Sequence, residues 1–131
     1  MLGIDTNVLI RYLIRDDEAQ FEKARRLIRR EVSAGRRIFL SLLVLLEAEW
    51  VLRSRYGLSK TEIAATVSAL LGAVDIQLED EPAVEEALYV WNDNAADFTD
   101  CLIGVRNRRL GCSATATFDT RAARIAGFST A

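Results

Sequence analysis

Apolar positions recur along the chain in two rhythms, short unbroken runs and longer stretches at helical spacing. Leu2–Ile4 is a short run that ends at Asp5, the signature of a buried strand arriving at a turn. Asp5-Thr6-Asn7 favours a helix start, and Val8, Leu9, Tyr12 and Leu13 continue at helical spacing until Asp16-Asp17 interrupts it. Asp17 is placed to cap a second helix reaching about Val32, with Phe21, Ala24, Leu27 and Ile28 as its apolar stripe and Gly35 as its stop. Ile38–Leu40 predicts a second strand. Ser41 can cap a helix from Leu42 to about Tyr56, closed by Gly57. Ser59 with Glu62 three residues on forms a capping box, which predicts a helix to about Leu71.

The second half continues the alternation. Asp75–Leu78 predicts a third strand, and Pro82 suits the first turn of a helix extending to about Asn92. After the loop around Asp93 and Asn94, Asp97 opens a helix through Phe98, Leu102, Val105 and Leu110, stopped at Gly111. Ser113–Phe118 predicts a fourth strand ending at Asp119. A short helix over 121–126 and an edge strand over 127–131 complete the chain. Strands alternating with helices argue for a parallel sheet covered on both faces, an α/β sandwich. A chain of 131 residues suits one domain, 1–131, around one core.

Composition narrows the chemistry. There is no histidine, which excludes Ser-His-Asp hydrolysis, Cys-His proteolysis and ribonuclease chemistry built on a histidine pair. Any hydrolysis must rest on carboxylates, hydroxyls or a metal. Cys101 and Cys112 are too few for a structural zinc site without histidine, and they read as buried small hydrophobes rather than a disulfide. The longest uncharged stretch, Ile63–Val74, is well short of the ~20 residues that span a bilayer. Asp5 interrupts any signal-like start, so a cytoplasmic protein is expected. The net charge of −2 gives no overall attraction to nucleic acid, yet fifteen of the seventeen basic residues are arginine. Their clusters, such as Arg106, Arg108 and Arg109, could bind phosphate locally.

The acids mark a candidate site. Asp5 and Asp119 each follow a strand-like run, at the sheet edge where open α/β folds bind ligands. Glu47 and Glu49 lie in an otherwise apolar stretch of the helix that begins at Leu42, where burying a carboxylate is costly unless it is paired or holds a cation. They stand about 200° apart around the axis, so at most one faces a site, and position does not choose between them. Asp97 and Asp100 share a helix face; Asp97 reads mainly as the cap and Asp100 as the better ligand. Clustered carboxylates need a counter-charge, and the two lysines, Lys23 and Lys60, lie on other helices. A hard divalent cation is the natural partner. Magnesium keeps several waters and could present a nucleophile to a phosphodiester.

Four segments together resemble one known family. Leu2-Gly3-Ile4-Asp5-Thr6-Asn7-Val8-Leu9, Leu45-Leu46-Glu47-Ala48-Glu49-Trp50-Val51-Leu52, Asp97-Phe98-Thr99-Asp100-Cys101-Leu102-Ile103 and Thr117-Phe118-Asp119 resemble the PIN-domain family, most closely its VapC-type toxin branch. The resemblance implies a Rossmann-like, three-layer α/β/α sandwich with a central parallel sheet. It further implies a Mg²⁺- or Mn²⁺-dependent endoribonuclease, the toxin of a toxin–antitoxin pair, held inactive by a VapB-type antitoxin and usually dimeric. The family's acidic positions fall on Asp5, Glu47, Asp100 and Asp119, and so it prefers Glu47 over Glu49. Asp5, Asp100 and Asp119 are then the metal ligands, with Asn7, Thr117 and Asp97 in support. Arg106, Arg108 and Arg109, on the helix that carries Asp100, are the first choice for contacts to RNA. Glu49 stands where the family usually has an apolar residue and is expected to face solvent or a partner. The alternatives are a PIN nuclease of RNA processing or decay, and a non-catalytic module that binds RNA or antitoxin. A haloacid-dehalogenase-type phosphatase would need a second acid where Asn7 stands, and a suitably placed lysine.

Overall fold

A computed structural model describes every residue from Met1 to Ala131. The chain divides into two compact units, Met1–Glu79 and Asp80–Ala131.

The first unit alternates strand and helix. Strand β1 (Leu2–Gly3) leads into α1 (Thr6–Leu13) and α2 (Glu18–Ser33). Strand β2 (Ile38–Leu40) is followed by α3 (Leu42–Ser54) and α4 (Lys60–Gly72), and β3 (Ile76–Leu78) closes the unit. The three strands pair in parallel in the order β1-β2-β3, with Leu2 opposite Ile38 and Ile38 opposite Ile76. Ile38, Leu40, Ile76 and Leu78 are buried, while Phe39 and Gln77 between them are half-buried. That is the burial expected of a parallel sheet packed by crossover helices. The helix starts fall on the residues whose side chains can accept from free N–H groups. Asp5, Asp17 and Ser41 accept from Val8, Gln20 and Val44, and Ser59 with Glu62 makes the full capping box. Gly35 and Gly57 end α2 and α3 at positive φ (78° and 65°), the conformation that glycine adopts without a Cβ clash.

The second unit holds α5 (Glu81–Asn92), α6 (Phe98–Arg109), β4 (Thr115–Thr117), a single 3₁₀ turn at Ala122–Arg124 and β5 (Phe128–Thr130). Strands β4 and β5 pair in parallel, Thr115 opposite Phe128. The sequence predicts the α/β class and parallel pairing; the hydrogen-bonded ladders form one three-stranded and one two-stranded sheet. The short helix over 121–126 is only the 3₁₀ turn, and β5 is the expected edge strand. Phe98 is fully buried and meets Trp91 edge-on at 5.3 Å. The Phe128 ring lies so close over Gly104 that it leaves no room there for a Cβ. Cys101 is buried as expected, but Cys112 is exposed, because it follows the turn at Gly111 rather than the helix face; both are free thiols. No helix is long and apolar enough to cross a membrane.

Candidate active site

Within the first unit, Asp5, Asn7 and Glu47 line one open cleft of about 550 Å³ together with Thr6, Leu43, Val44, Trp50, Val51 and Arg55. Asp5 sits between β1 and α1, where its Oδ1 accepts from the Val8 N–H at 3.0 Å. The cap and the cleft position coexist: one carboxylate oxygen fixes the side chain, and the other takes no partner from the protein. Asp5 and Asn7 also border a second cleft of about 320 Å³, with Val8, Arg11, Gln20, Lys23, Ala24 and Leu27.

Glu47 and Glu49 divide as helix geometry requires, but in the opposite sense to one expectation. Glu47 is the exposed one, and Glu49 is buried, at 3% exposure. Glu49 belongs to the inward stripe Leu45, Ala48, Glu49, Leu52, whose i, i+3, i+4, i+7 spacing turns it toward the core. Its charge is met by Arg53 one turn on, with Nε 3.1 Å from Oε1. Glu49 therefore faces neither solvent nor a partner. It is a structural ion pair, and the cost of burial argued for Glu47 falls on Glu49 instead.

Within the second unit, Asp100 lies in the first turn of α6, partly buried. Burial pushes its carboxyl above the usual carboxylate range, and the charges of Asp119 and then Asp97 push it further in the same direction. Asp97 occupies the N-cap position but makes no side-chain cap bond; α6 begins through its backbone carbonyl, which accepts from Cys101 N–H at 3.1 Å. The expectation that Asp97 mainly caps the helix is thus corrected: its charge is exposed and acts on Asp100. Asp119, just past β4, accepts from the backbone N–H groups of Arg121 (2.7 Å) and Ala122 (2.9 Å) through one oxygen. Those bonds, that of Ala122 foremost, hold its carboxyl below the ordinary range. Thr117 Oγ1 in turn accepts from the Asp119 N–H at 3.0 Å, which fixes the turn carrying the acid.

The arginines of α6 are unequal. Arg106 bonds Asp80 at 3.0 Å and Arg108 pairs with Glu86, whereas Arg109 is exposed with no carboxylate partner. Asp80 is the one non-glycine residue at positive φ (54°), and Arg106 ties down its carboxylate.

No three acidic side chains close around a single point to enclose an ion by themselves. The free oxygens within each unit are nevertheless of the chemical kind that suits a hard cation. Asp5 and Asp119 each keep one oxygen free of protein partners, and Asp100 is crowded by like charge with no basic group among the causes of its shift. Residues missed by sequence reading are Trp50 and Arg55, which share the cleft with Asp5 and Glu47. Their signal was the helical spacing from Glu47, i+3 for Trp50 and i+8 for Arg55, hidden because every position from Leu42 to Leu46 is apolar.

Residues 3–128 match the family described as PIN domain. The chain belongs to the PIN domain family. The match takes in the acids of both units, from Asp5 to Asp119. This PIN domain is also similar to a VapC ribonuclease of Aquifex aeolicus (strain VF5), 24% identical over 127 residues, which are 97% of this chain and 93% of that protein. Among solved structures it is similar to Mycobacterium tuberculosis VapC20, described as a sarcin-ricin loop cleaving toxin. There the identity is 21%, the coverage 100% of this chain and 98% of the other, and the TM-score 0.44.

Proposed function

We propose that this chain is a metal-dependent endoribonuclease of the VapC toxin type, acting as a single PIN domain over residues 1–131. The observation that carries the reading is the electrostatic state of Asp100. It is a carboxylate on a PIN-family chain, partly buried and within electrostatic reach of two further acids, Asp119 and Asp97. Such a group is stabilised by a divalent cation held among oxygen ligands. The likeness to a VapC ribonuclease supports RNA as the substrate.

In this reading Asp5, Asp100 and Asp119 would hold a Mg²⁺ or Mn²⁺ ion. Bound there, the cation would supply charge stabilisation at the phosphate and lower the pKa of a bound water. Glu47, exposed in the cleft beside Asp5, orients the attacking water and accepts its proton at a carboxylate oxygen. The Val8 N–H holds Asp5, the Arg121 and Ala122 N–H groups hold Asp119, and Thr117 braces that turn. Asn7, which lines the cleft with Asp5 and Glu47, would offer its side-chain amide to a group bound there, and Asp97 adds negative charge around Asp100. Arg109, the α6 arginine without a carboxylate partner, is the best placed of its cluster to meet a phosphate. A VapB-type antitoxin would hold the enzyme silent, and the working form would be a cytoplasmic homodimer.

The test is induced expression followed by mapping of cleaved ends in total RNA. The expected result is growth arrest with discrete cleavage sites, absent for Asp5→Asn and relieved by a co-expressed antitoxin. Unchanged RNA in arrested cells would refute the reading.

A further inference from the structure

The cleft that holds Asp5 and Glu47 contains two groups that the acidic chemistry does not use. Trp50 is 52% exposed on the same helix as Glu47, one turn along. An indole left in water at that level needs a reason, because the chain buries its other tryptophan, Trp91, to 5% exposure against Phe98. Leu43, 80% exposed, and half-buried Val44 and Val51 extend the apolar surface around Glu47. Arg55 stands at the C-cap of α3, exposed. Most arginines of the first unit are engaged: Arg11 with Asp16, Arg15 with Glu18, Arg25 and Arg26 with Glu22, Arg36 with Glu31 and Arg53 with Glu49. Arg55 has no such partner and lines the cleft.

An aromatic plate, an apolar floor and one unpaired guanidinium beside carboxylates make a specific combination. A bare anion would be repelled by Asp5 and Glu47. An apolar protein segment would leave the Arg55 charge without a partner. An unpaired nucleotide satisfies each group: its base has a π-face for the indole, and its phosphate suits the planar guanidinium fork. A base inside a duplex cannot offer that face. The cleft volume of about 550 Å³ lies within the roughly 300–1,000 Å³ of ordinary ligand sites.

We propose that Trp50 and Arg55 form a platform for one unpaired nucleotide of the RNA substrate, the base stacked on the Trp50 indole and its phosphate held by Arg55. The platform positions the strand against Glu47 and Asp5 and makes single-stranded character a requirement for cleavage. It rests on the ribonuclease reading above.

The experiment uses the full chain carrying Asp100→Asn, so that RNA is bound without being consumed. A 12-nucleotide single-stranded RNA should quench the tryptophan fluorescence saturably, since Trp50 is the exposed one of two tryptophans, and the same sequence as a duplex should quench far less. Adding Trp50→Leu should weaken binding about 5- to 150-fold, the usual effect of losing one stacked base. Trp50→Phe should restore most of that loss, a rescue that a merely structural role would not give. Arg55→Ala should lower the slope of log affinity against log salt by about 0.7, one single-strand phosphate contact. Should Trp50→Leu not fold, the quenching and the Phe variant decide alone. Unchanged RNA affinity for Trp50→Leu with a smaller mass by light scattering would overturn the platform in favour of a protein–protein contact. Unchanged affinity and mass would overturn it outright. A wild-type chain that neither binds nor cleaves any RNA refutes the ribonuclease reading itself. A wild-type chain that cleaves, beside a Trp50→Leu chain that binds and cleaves equally, refutes only the platform.

Discussion

The acids of the two units are held in contrasting ways. In the first unit, Asp5 and Glu47 stand exposed in an open cleft, flanked by an indole and an unpaired arginine. In the second, Asp100 is partly buried, and that burial, with the charges of Asp119 and then Asp97, disfavours its ionised form. The first arrangement offers access and groups that can hold a substrate. The second holds like-charge repulsion that a divalent cation would relieve. Family membership covers both, but their physics assigns them different work.

The largest expected effect strikes both groups alike. Asp100→Asn and Glu47→Gln should each lower RNA cleavage about 100-fold or more while leaving far-UV circular dichroism unchanged. Retained cleavage in either variant would remove that group from the chemistry. The next effect separates access from burial within α3. Arg53→Ala leaves the Glu49 charge buried and without its ion pair, and should cost about 1–2 kcal/mol in urea unfolding. A fully buried pair would cost more, but Arg53 is itself half exposed. Glu47→Ala should stay within about 0.5 kcal/mol, as exposed substitutions do. Equal losses for the two would erase the distinction between them.

Smaller effects test the stored repulsion. The Asp100 carboxyl is raised by burial and by its neighbours, so the folded state binds that proton more tightly than the unfolded chain does. Its contribution is fully present at acidic pH and is lost as pH rises through the raised value. In EDTA at neutral pH, Asp100→Asn should therefore raise Tm by about 1–2 °C, a small shift because solvent screens the group. Mg²⁺ should raise the Tm of the wild type and not of this variant. Asp119 has the opposite sign. Its lowered value means stability present above the unfolded carboxylate range and lost as pH falls through the folded one. Asp119→Asn should accordingly lower Tm at pH 7 and lose that difference in acid, which a pH series of melts would show.

Much of this was legible in the chain. The strand-end aspartates, the caps at Asp17, Ser41 and Ser59 and the glycine stops at Gly35 and Gly57 all follow from local rules that depend on few neighbours. Tertiary packing set the rest. Helix α3 is apolar on nearly every side at its start, so periodicity marked no inner face. The stripe through Leu45, Ala48 and Leu52 that buries Glu49 became visible only in the folded chain. Asp97 had the residue type and position of a cap, yet its side chain makes no cap bond; propensity records only how often such residues cap. Trp50 stands in the sequence as one more apolar position, because sequence carries hydrophobicity and not exposure.

The activity proposed for this PIN domain is cleavage of RNA through carboxylates that hold a divalent cation. Cleavage of total RNA by the purified chain, in EDTA and again after Mg²⁺ is restored, with Asp5→Asn alongside, tests it most directly. Discrete products are expected only from the wild type and only with Mg²⁺ present. Undiminished cleavage in EDTA, or equal cleavage by Asp5→Asn, would contradict the proposal.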